Sequence, residues 1–252
     1  MNTRQSAIID ILQKAERVGV RELAKQFAVS QMTIRRDMAM LEELGYLIRT
    51  HGGGLPADKL RFLHRAFPHY SVTPQKSAIG KLAAKQVQPK QTVMVDSGTT
   101  TLEVARNLPK DIDITVATTS IAVAQELYGS QFHLVLFGGT IREGFPSMYG
   151  PLTESMLKNF HVDILFVGCD GADSKDGFYI SELGVSSLEQ LIISISECVV
   201  VVAESSKFGR KAFVRYATLD QIDTVVTDTG LSPTDRKNLE SNGIKTLLAE
   251  GE

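Results

Sequence analysis

Seven short apolar runs, each four to six residues long, recur through the chain from residue 92 onwards. They are hydrophobic throughout rather than at every second residue, and helical stretches separate several of them. Strands that alternate with helices form parallel sheets, and strands covered on both faces need continuous hydrophobicity. The pattern therefore predicts an α/β domain with a Rossmann-like, doubly wound parallel sheet. The predicted strands are Thr92–Val95, Ile112–Ala117, Phe132–Phe137, Val162–Val167, Cys198–Val202, Thr224–Thr227 and Lys245–Leu248.

Polar or glycine residues directly follow the first five runs. In open parallel sheets, ligands bind beyond the carboxyl ends of the strands, so we expect these residues to share one edge and bind an effector. The first run leads into a predicted helix at Leu102–Leu108, and a turn of this kind can hold an anion such as phosphate on backbone N–H groups. The candidate effector-binding residues are Asp96, Ser97, Gly98, Thr99, Thr100, Thr118, Thr119, Ser120, Gly138, Gly139, Asp170, Gly171 and Lys207.

For any single loop, an ordinary strand-to-helix turn explains the residues equally well, because glycine and hydroxyl side chains are common in turns. The loops together favour a ligand site. Lys207 adds a cation, and Asp96 and Asp170 supply acceptors for sugar hydroxyls at the same edge. The sequence therefore predicts a site for a phosphorylated, hydroxylated small molecule.

The first fifty residues differ, because three short amphipathic helices precede a glycine-rich turn. Thr3–Ala15 is the first, and the second begins near Arg21 and ends near Ala28. Ser30 offers an N-cap oxygen to the third. Only residues 28–30 separate the second and third helices. Such a short connection is typical of a helix-turn-helix, whose second helix enters the major groove of DNA.

The exposed side chains of the third helix suit DNA. Hydroxyl, amide and guanidinium groups on its first turns can meet base edges and phosphates. The run after Gly45, with three glycines at its end, predicts a hairpin that forms the wing of a winged helix-turn-helix. A helical bundle with a solvated face is the alternative, and a solvated hairpin explains His51 equally well. The candidate DNA-binding residues are Ser30, Gln31, Thr33, Arg35, Arg36, Arg49 and His51.

Charge is distributed unevenly along the chain, whose net charge is −2. Residues 1–70 contain 11 Lys and Arg against 7 Asp and Glu, a net +4, so residues 71–252 carry 16 against 22, a net −6. Local positive charge favours phosphate contacts and counterion release. The asymmetry agrees with a DNA-binding module joined to an acidic domain, although +4 over 70 residues is also within ordinary scatter.

The sequence indicates neither a membrane segment nor a metal site. No apolar run approaches the roughly 20 residues that a span needs, and the N-terminus lacks the apolar segment of a signal peptide. We therefore expect a cytoplasmic protein with no membrane partner. Cys169 and Cys198 lie in apolar runs without the paired spacing of zinc or redox sites, so both are expected to be reduced core residues. No metal ion or cofactor is expected.

The stretch VSQMTIRRDMAMLEELGYLIRTHGG, residues 29–53, resembles the DNA-binding signature of the DeoR-type bacterial repressors. The resemblance implies that Ser30, Gln31, Thr33, Arg35 and Arg36 dock on operator DNA. We expect Asp37 to have a structural role instead, as an intramolecular partner for an arginine. The motifs VDSGTT, TTS, FGGTIR, VGCDG and SSKFGR also resemble the sensor domain of that family, in the same order. The similarity thus extends over nearly the whole chain.

The sequence predicts three segments: a winged helix-turn-helix at 1–54, a linker at 55–75, where the apolar periodicity fades, and an effector-sensing domain at 76–252. The linker contains an F-x-x-R pattern at Phe62 and Arg65. The family's sensor resembles sugar-phosphate isomerases, and its effectors are typically phosphorylated sugars that release the repressor from DNA. Glu182 matches a family position and joins the candidate effector-binding residues. Relatives often place Lys or Arg after it, whereas here no basic residue lies between Lys175 and Lys207.

The expected function is therefore a repressor of a carbohydrate-utilisation operon, acting on double-stranded operator DNA as a homodimer or homotetramer, because paired heads bind paired half-sites. An isomerase or deaminase is the alternative, with Asp96, Asp170 or Glu182 as general base. An enzyme would not need the N-terminal head, so no enzymatic activity is expected. An activator or a dual regulator with the same parts also remains open.

Overall fold

The structure is a computed structural model that describes residues 3–14, 17–43, 47–50, 52–56 and 73–251. The chain divides into two compact units, residues 1–66 and 67–252, each with its own hydrophobic core. None of the helices within the described ranges is long and apolar enough to cross a membrane.

The described residues of the first unit form three helices and a small antiparallel sheet. Its core is formed by apolar side chains of all three helices, among them Ile8, Leu23 and Ile34. The central strand of the sheet is β3, which pairs with β2 as a hairpin and with β1 on its other side. This hairpin is the predicted wing. The elements are α1 (Thr3–Lys14), β1 (Val18–Gly19), α2 (Val20–Gln26), α3 (Gln31–Glu43), β2 (Leu47–Thr50) and β3 (Gly53–Pro56).

The second helix differs by one or two residues at each end from the sequence-based prediction. It begins at Val20, which is buried, and Gly19 is its N-cap without a side-chain hydrogen bond. The connection to α3 runs from Phe27 to Ser30 and is one residue longer than predicted. Ala28 turns the chain there with a positive φ of 50°, a conformation that non-glycine residues rarely adopt.

The second unit is built on a seven-stranded, fully parallel sheet, which confirms the predicted α/β fold class. All seven predicted strands belong to it, in the order β15-β14-β12-β9-β4-β5-β6. Six of them differ little from the predicted ranges, but β5 starts three residues later than expected. The strands are β4 (Thr92–Val95), β5 (Thr115–Thr118), β6 (His133–Leu136), β9 (Val162–Val167), β12 (Ser196–Val202), β14 (Thr224–Asp228) and β15 (Lys245–Ala249).

The helices of this unit connect successive strands, and the sheet lies between them. The central strands are almost fully buried, as continuous hydrophobicity requires. The edge strand β6 is partly exposed instead. The helices are α4 (Pro74–Ala84), α5 (Thr99–Arg106), α6 (Ile121–Leu127), α7 (Pro151–Leu157), α8 (Leu183–Ser194) and α9 (Pro233–Ser241).

Two smaller sheets extend the parallel sheet and were not predicted, because their strands are short and not continuously apolar. One is the hairpin of β7 (Thr140–Ile141) and β8 (Met148–Tyr149). The other contains β10 (Gly171–Asp173), β11 (Gly177–Ile180) and β13 (Val214–Ala217). Both arise from segments that leave the carboxyl edge of the parallel sheet.

The winding of the sheet reverses between β4 and β9. From β4 the chain adds β5 and β6 on one side, and it then returns to place β9 and β12 on the other side. The loops after β4 and β9 therefore run in opposite directions, which opens a crevice at the carboxyl edge. The fold thus predicts a ligand site between these two strands.

Close packing of α4 against α5 leaves no room for a side chain at Gly80. A Cβ atom added there would lie 2.5 Å from the backbone carbon of Glu103. We expect Gly80→Ala to destabilise the protein by about 1 to 3 kcal/mol, because the helices must separate to admit the methyl group. Thermal unfolding measures this loss.

Gly138→Ala is the matched control, because nothing lies within 4 Å of a Cβ atom at Gly138. Its melting temperature should stay close to that of the wild type. A Gly80→Ala variant that melts at or above the wild-type temperature would contradict the close approach of the two helices.

Candidate functional site

The start of α3 is capped as the sequence predicts. The backbone N–H of Thr33 donates to Ser30 Oγ at 3.1 Å, and the Ser30 and Thr33 hydroxyl oxygens lie 2.9 Å apart. This bond satisfies one of the free N–H groups of the first turn and determines where the helix begins. The predicted recognition helix therefore starts at Gln31.

Polar side chains of α3 are exposed where DNA contacts are predicted. Gln31, Arg35 and Arg36 are exposed, and Thr33 is half-buried. Gln31 and Arg35 are four residues apart and therefore lie on the same face of the helix. Neither Arg35 nor Arg36 forms an ion pair with any residue in the described ranges, so both guanidinium groups are available to a partner.

The neighbouring carboxylate of Asp37 has a structural role, as the sequence analysis expects. Asp37 is 5% exposed and accepts hydrogen bonds from Arg4 Nε at 2.6 Å and from Gln5 Nε2 at 3.2 Å. Both donors belong to α1. These two hydrogen bonds therefore connect α1 to the buried side of α3 and leave the opposite side of α3 exposed.

The wing places Arg49 at the surface, where it contacts Glu42 of α3. Its backbone N–H donates to Glu42 Oε1 at 3.0 Å, and its Nε donates to Oε2 at 2.7 Å. The backbone bond is the largest cause of a lowered pKa at Glu42. His51, the other wing residue predicted to contact DNA, lies outside the described residues.

A cavity of about 320 Å³ lies at the carboxyl edge of the parallel sheet, at the point where its winding reverses. This volume is in the range of small-molecule sites. Its walls come from the loops after β4, β9 and β12, from the β7–β8 loop and from α8. Of the predicted effector-binding residues, those that line it are Asp96, Ser97, Gly98, Thr99, Thr100, Asp170 and Lys207.

One end of the cavity is the N-terminus of α5. This helix begins at Thr99, three residues earlier than predicted, so that Thr99 and Thr100 form its first turn. The N–H groups of a first turn and the helix dipole together favour an anion. Lys207 lines the same cavity from a 3₁₀ turn, Ser205–Lys207, whose start is held by bonds from Ser205 to Asp228.

Two buried carboxyl groups lie in the cavity wall, Asp96 and Glu189, which are 4% and 6% exposed. Burial raises the pKa of Asp96 to about 7, against the opposing effects of the Ser97 N–H and the charge of Arg142. Burial also raises the pKa of Glu189 well above its ordinary value, and the negative charge of Asp96 adds to this effect. The interior of the cavity is thus rich in carboxyl groups that water does not solvate.

Arg142 is a lining residue that the sequence analysis did not name as a candidate. It lies in the β7–β8 loop, and its guanidinium group donates two hydrogen bonds to Glu182, from Nε at 2.8 Å and from Nη2 at 2.7 Å. It also stacks 3.8 Å from the centre of the Phe145 ring. Glu182 itself does not line the cavity but holds Arg142, which does. The motif FGGTIR contains Arg142 and was considered for its glycines alone.

The remaining lining residues missed by the sequence analysis come from segments distant in sequence. They include Lys76 of α4, Glu189 of α8, and Glu204, which follows β12. Glu204 accepts a hydrogen bond from Thr73 at 2.8 Å and lies 3.7 Å from Lys76 Nζ. Cys169 is a partly exposed free thiol in the same wall, and burial raises its pKa to about 12.

Other predicted effector-binding residues do not line the cavity, and several of their polar atoms bond within the protein. Thr118 Oγ1 donates to the Val95 carbonyl at 2.6 Å, and Ser120 Oγ caps α6 by accepting from Val123 N–H. The Gly138 carbonyl accepts from Thr153. The residues placed outside the cavity are Thr118, Thr119, Ser120, Gly138, Gly139, Gly171 and Glu182.

One group of side chains in the described ranges could approach a metal ion. Potential ligand atoms of His161, Asp163 and Glu197 lie within 4.8 Å of one another, at the opposite, amino-terminal edge of β9 and β12. His161 is 3.2 Å from Glu197. Asp163 already accepts a hydrogen bond from Thr92 N–H. We therefore interpret the group as a surface ion pair and not as a metal site.

Comparison with known proteins agrees with this architecture. The DeoR-like helix-turn-helix domain matches residues 4–59, and the DeoR C-terminal sensor domain matches residues 71–229. The chain is 33% identical to the HTH-type transcriptional regulator GlpR of Haloferax volcanii, over 97% of this chain and 96% of the relative. It is 32% identical to a putative aga operon transcriptional repressor of Escherichia coli O157:H7, over 97% and 93%.

The chain is also 30% identical to the glycerol-3-phosphate regulon repressor of Escherichia coli K12, over 89% of this chain and 90% of the relative. Among solved structures, ribose 5-phosphate isomerase A of Methanocaldococcus jannaschii shares 19% identity over 53% of each chain, with a TM-score of 0.40. A likeness this low indicates no activity. The resemblance that the sequence motifs predicted is confirmed by the two domain matches and by these relatives: the chain belongs to the DeoR family of transcriptional regulators.

Proposed function

We propose that this regulator is a repressor of a carbohydrate-utilisation operon and that a phosphorylated sugar releases it from operator DNA. Residues 1–54 bind DNA, 55–75 connect, and 76–252 sense the effector. The single observation that carries the proposal is the cavity at the reversal of the sheet, with a helix N-terminus and Lys207 on its wall. This pairing of backbone N–H groups with a cation suits a phosphate.

The names of two relatives support two parts of this proposal, repression of an operon and a phosphorylated effector. One is called a repressor of an operon, and another a repressor of a glycerol-3-phosphate regulon. Binding of the effector would shift the balance between the DNA-binding and the released arrangement. The coupling free energy between the effector site and the DNA-binding site is expected to be about 1 to 3 kcal/mol. A homodimer or homotetramer would place two recognition helices on paired half-sites. The protein would act in the cytoplasm, where its DNA is.

We propose no enzymatic activity. Two of the carboxyl groups considered as general bases already accept hydrogen bonds within the protein: Glu182 from Arg142, and Asp170 from the backbone N–H of Ser181 at 2.8 Å. Asp96, the third, is buried in the cavity wall. Incubation with phosphorylated sugars should therefore leave them unchanged, as chromatography would show.

The DNA-binding part of the proposal predicts a position-specific effect of Arg35→Ala. If Arg35 contacts a base edge, its loss should cost about 1 to 3 kcal/mol and relax discrimination at one operator base pair. The measurement is a titration of labelled operator variants, each with one base pair changed.

Arg236→Ala is the matched control, because Arg236 is an exposed arginine of α9 in the other unit. It should bind every operator variant as the wild type does. A weakening of Arg35→Ala that is uniform over all sequences would instead identify a phosphate contact.

The sensing part of the proposal predicts that Lys207→Ala loses its response to the effector and keeps its affinity for operator. A cation that contacts a phosphate contributes roughly 1.5 to 3 kcal/mol, so the effector concentration for half release should rise about tenfold or more. The test titrates phosphorylated sugars against the protein on labelled operator.

Lys237→Ala, on the exposed surface of α9, is its control and should respond normally. Parallel losses of operator affinity and of effector response in Lys207→Ala would indicate a folding defect and count against a phosphate contact.

A further inference from the structure

The charged residues of the cavity are unevenly paired. Lys76 pairs with Glu204, and Arg142 is held by both oxygens of Glu182. Lys207 forms no ion pair with any residue that the structure describes. Two of the three lining cations are therefore neutralised by the protein itself, and three lining carboxyl groups remain, Asp96, Asp170 and Glu189.

Glu189 is the exceptional member of this set. It is 6% exposed, and its Oε2 atom is buried without a hydrogen-bond partner among the described residues. The hydroxyl of Ser97, also in the cavity wall, is buried and lacks a partner in the same way. Asp170 differs from both, because it is exposed and accepts a hydrogen bond from Ser181.

A buried carboxyl group without a partner is costly, and proteins normally supply a hydrogen bond or an opposite charge. The raised pKa values of Glu189 and Asp96 express this cost. The charge of Arg142 opposes the rise in both pKa values, but the hydrogen bonds of its guanidinium group go to Glu182. What is missing at Glu189 is a donor, and the open cavity beside it can admit one.

We propose that the effector carries a protonated amino group in addition to its phosphate, with the amino group held by Glu189 and Asp96 and the phosphate at the N-terminus of α5 near Lys207. The ligand class is thus an amino sugar phosphate. This inference rests on the proposed function, because it takes the cavity as the effector site.

An amino group fits better than a hydroxyl group on grounds of charge. A sugar phosphate with hydroxyls alone leaves Glu189 and Asp96 in a site where burial disfavours their charged forms. An ammonium group stabilises those charged forms and brings three donors, and hydrogen bonds between charged partners are about twice as strong as neutral ones. The absence of a basic residue between 175 and 207 fits the same explanation, since α8 faces the cavity with Glu189 instead.

The test measures binding of matched ligand pairs to the full chain by calorimetry. The probes are glucosamine 6-phosphate and galactosamine 6-phosphate, each beside the hexose 6-phosphate with a hydroxyl at the same carbon, together with the N-acetylated forms and inorganic phosphate. We expect at least one amino sugar phosphate to bind about tenfold or more tighter than its hydroxyl partner. N-acetylation should remove this advantage, because it removes the positive charge.

Glu189→Gln should reduce the amino-to-hydroxyl preference to near one, because the neutral amide no longer favours a positively charged partner. Glu204→Gln is the matched control, since Glu204 is a lining carboxylate that already has partners in Thr73 and Lys76. It should keep the preference. If Glu189→Gln does not fold, Asp96→Asn carries the same expectation.

Three contradicting outcomes can be told apart. Equal or tighter binding of the hydroxyl ligands, weakened by Lys207→Ala, would overturn the amino-group inference and leave the proposed sugar-phosphate sensor standing. A wild-type protein that binds none of the phosphorylated sugars would overturn both. A preference for amino ligands that survives in Glu189→Gln and in Asp96→Asn would also reject the assigned residues.

Discussion

The reversal of winding between β4 and β9 is the constraint on which the cavity depends. A parallel sheet buries both faces under helices, so its loops are the only places where polar groups can gather without penalty. Where the direction of winding changes, the two loops part, and here the gap contains the start of α5 and the polar ends of β9 and β12. The site follows from the topology before any side chain is considered.

Opposite electrostatic preferences then meet in a small volume. The first turn of α5 and Lys207 favour an anion, whereas Asp96 and Glu189 are buried carboxyl groups whose charged forms need a positively charged partner. Arg142 does not supply this partner, because its hydrogen bonds go to Glu182 and its guanidinium group stacks on the Phe145 ring. A ligand with both a phosphate and an ammonium group would satisfy both preferences. A purely anionic ligand would satisfy only that of the first turn of α5 and Lys207.

The DNA-binding unit shows how much a local pattern can determine. The Ser30 cap, the buried stripe of α3 and the hairpin after it were all predictable, because each depends on neighbours within four residues or on a short turn. The two exposed arginines follow from the same periodicity. The contact between Arg49 and Glu42 was not predictable, because it depends on where the wing comes back against the helix.

The limits of prediction in the sensing unit have the same physical origin. Continuous apolar runs determined the seven strands and their parallel arrangement, since strands buried on both faces require them. The residues after β4, together with Asp170 and Lys207, were predicted at the carboxyl edge, where the structure has them.

Other predicted residues, such as Thr118 and Ser120, also follow strand ends, but they form internal hydrogen bonds because β5 lies away from the reversal. The strand order determines which loops diverge, and no local sequence pattern predicts the strand order. Arg142 reaches the cavity from the loop between the two-residue strands β7 and β8, and Glu189 reaches it from a buried position on α8. Only the tertiary structure brings them beside Asp96, because their proximity results from the packing of segments that are about 50 to 90 residues apart in the sequence.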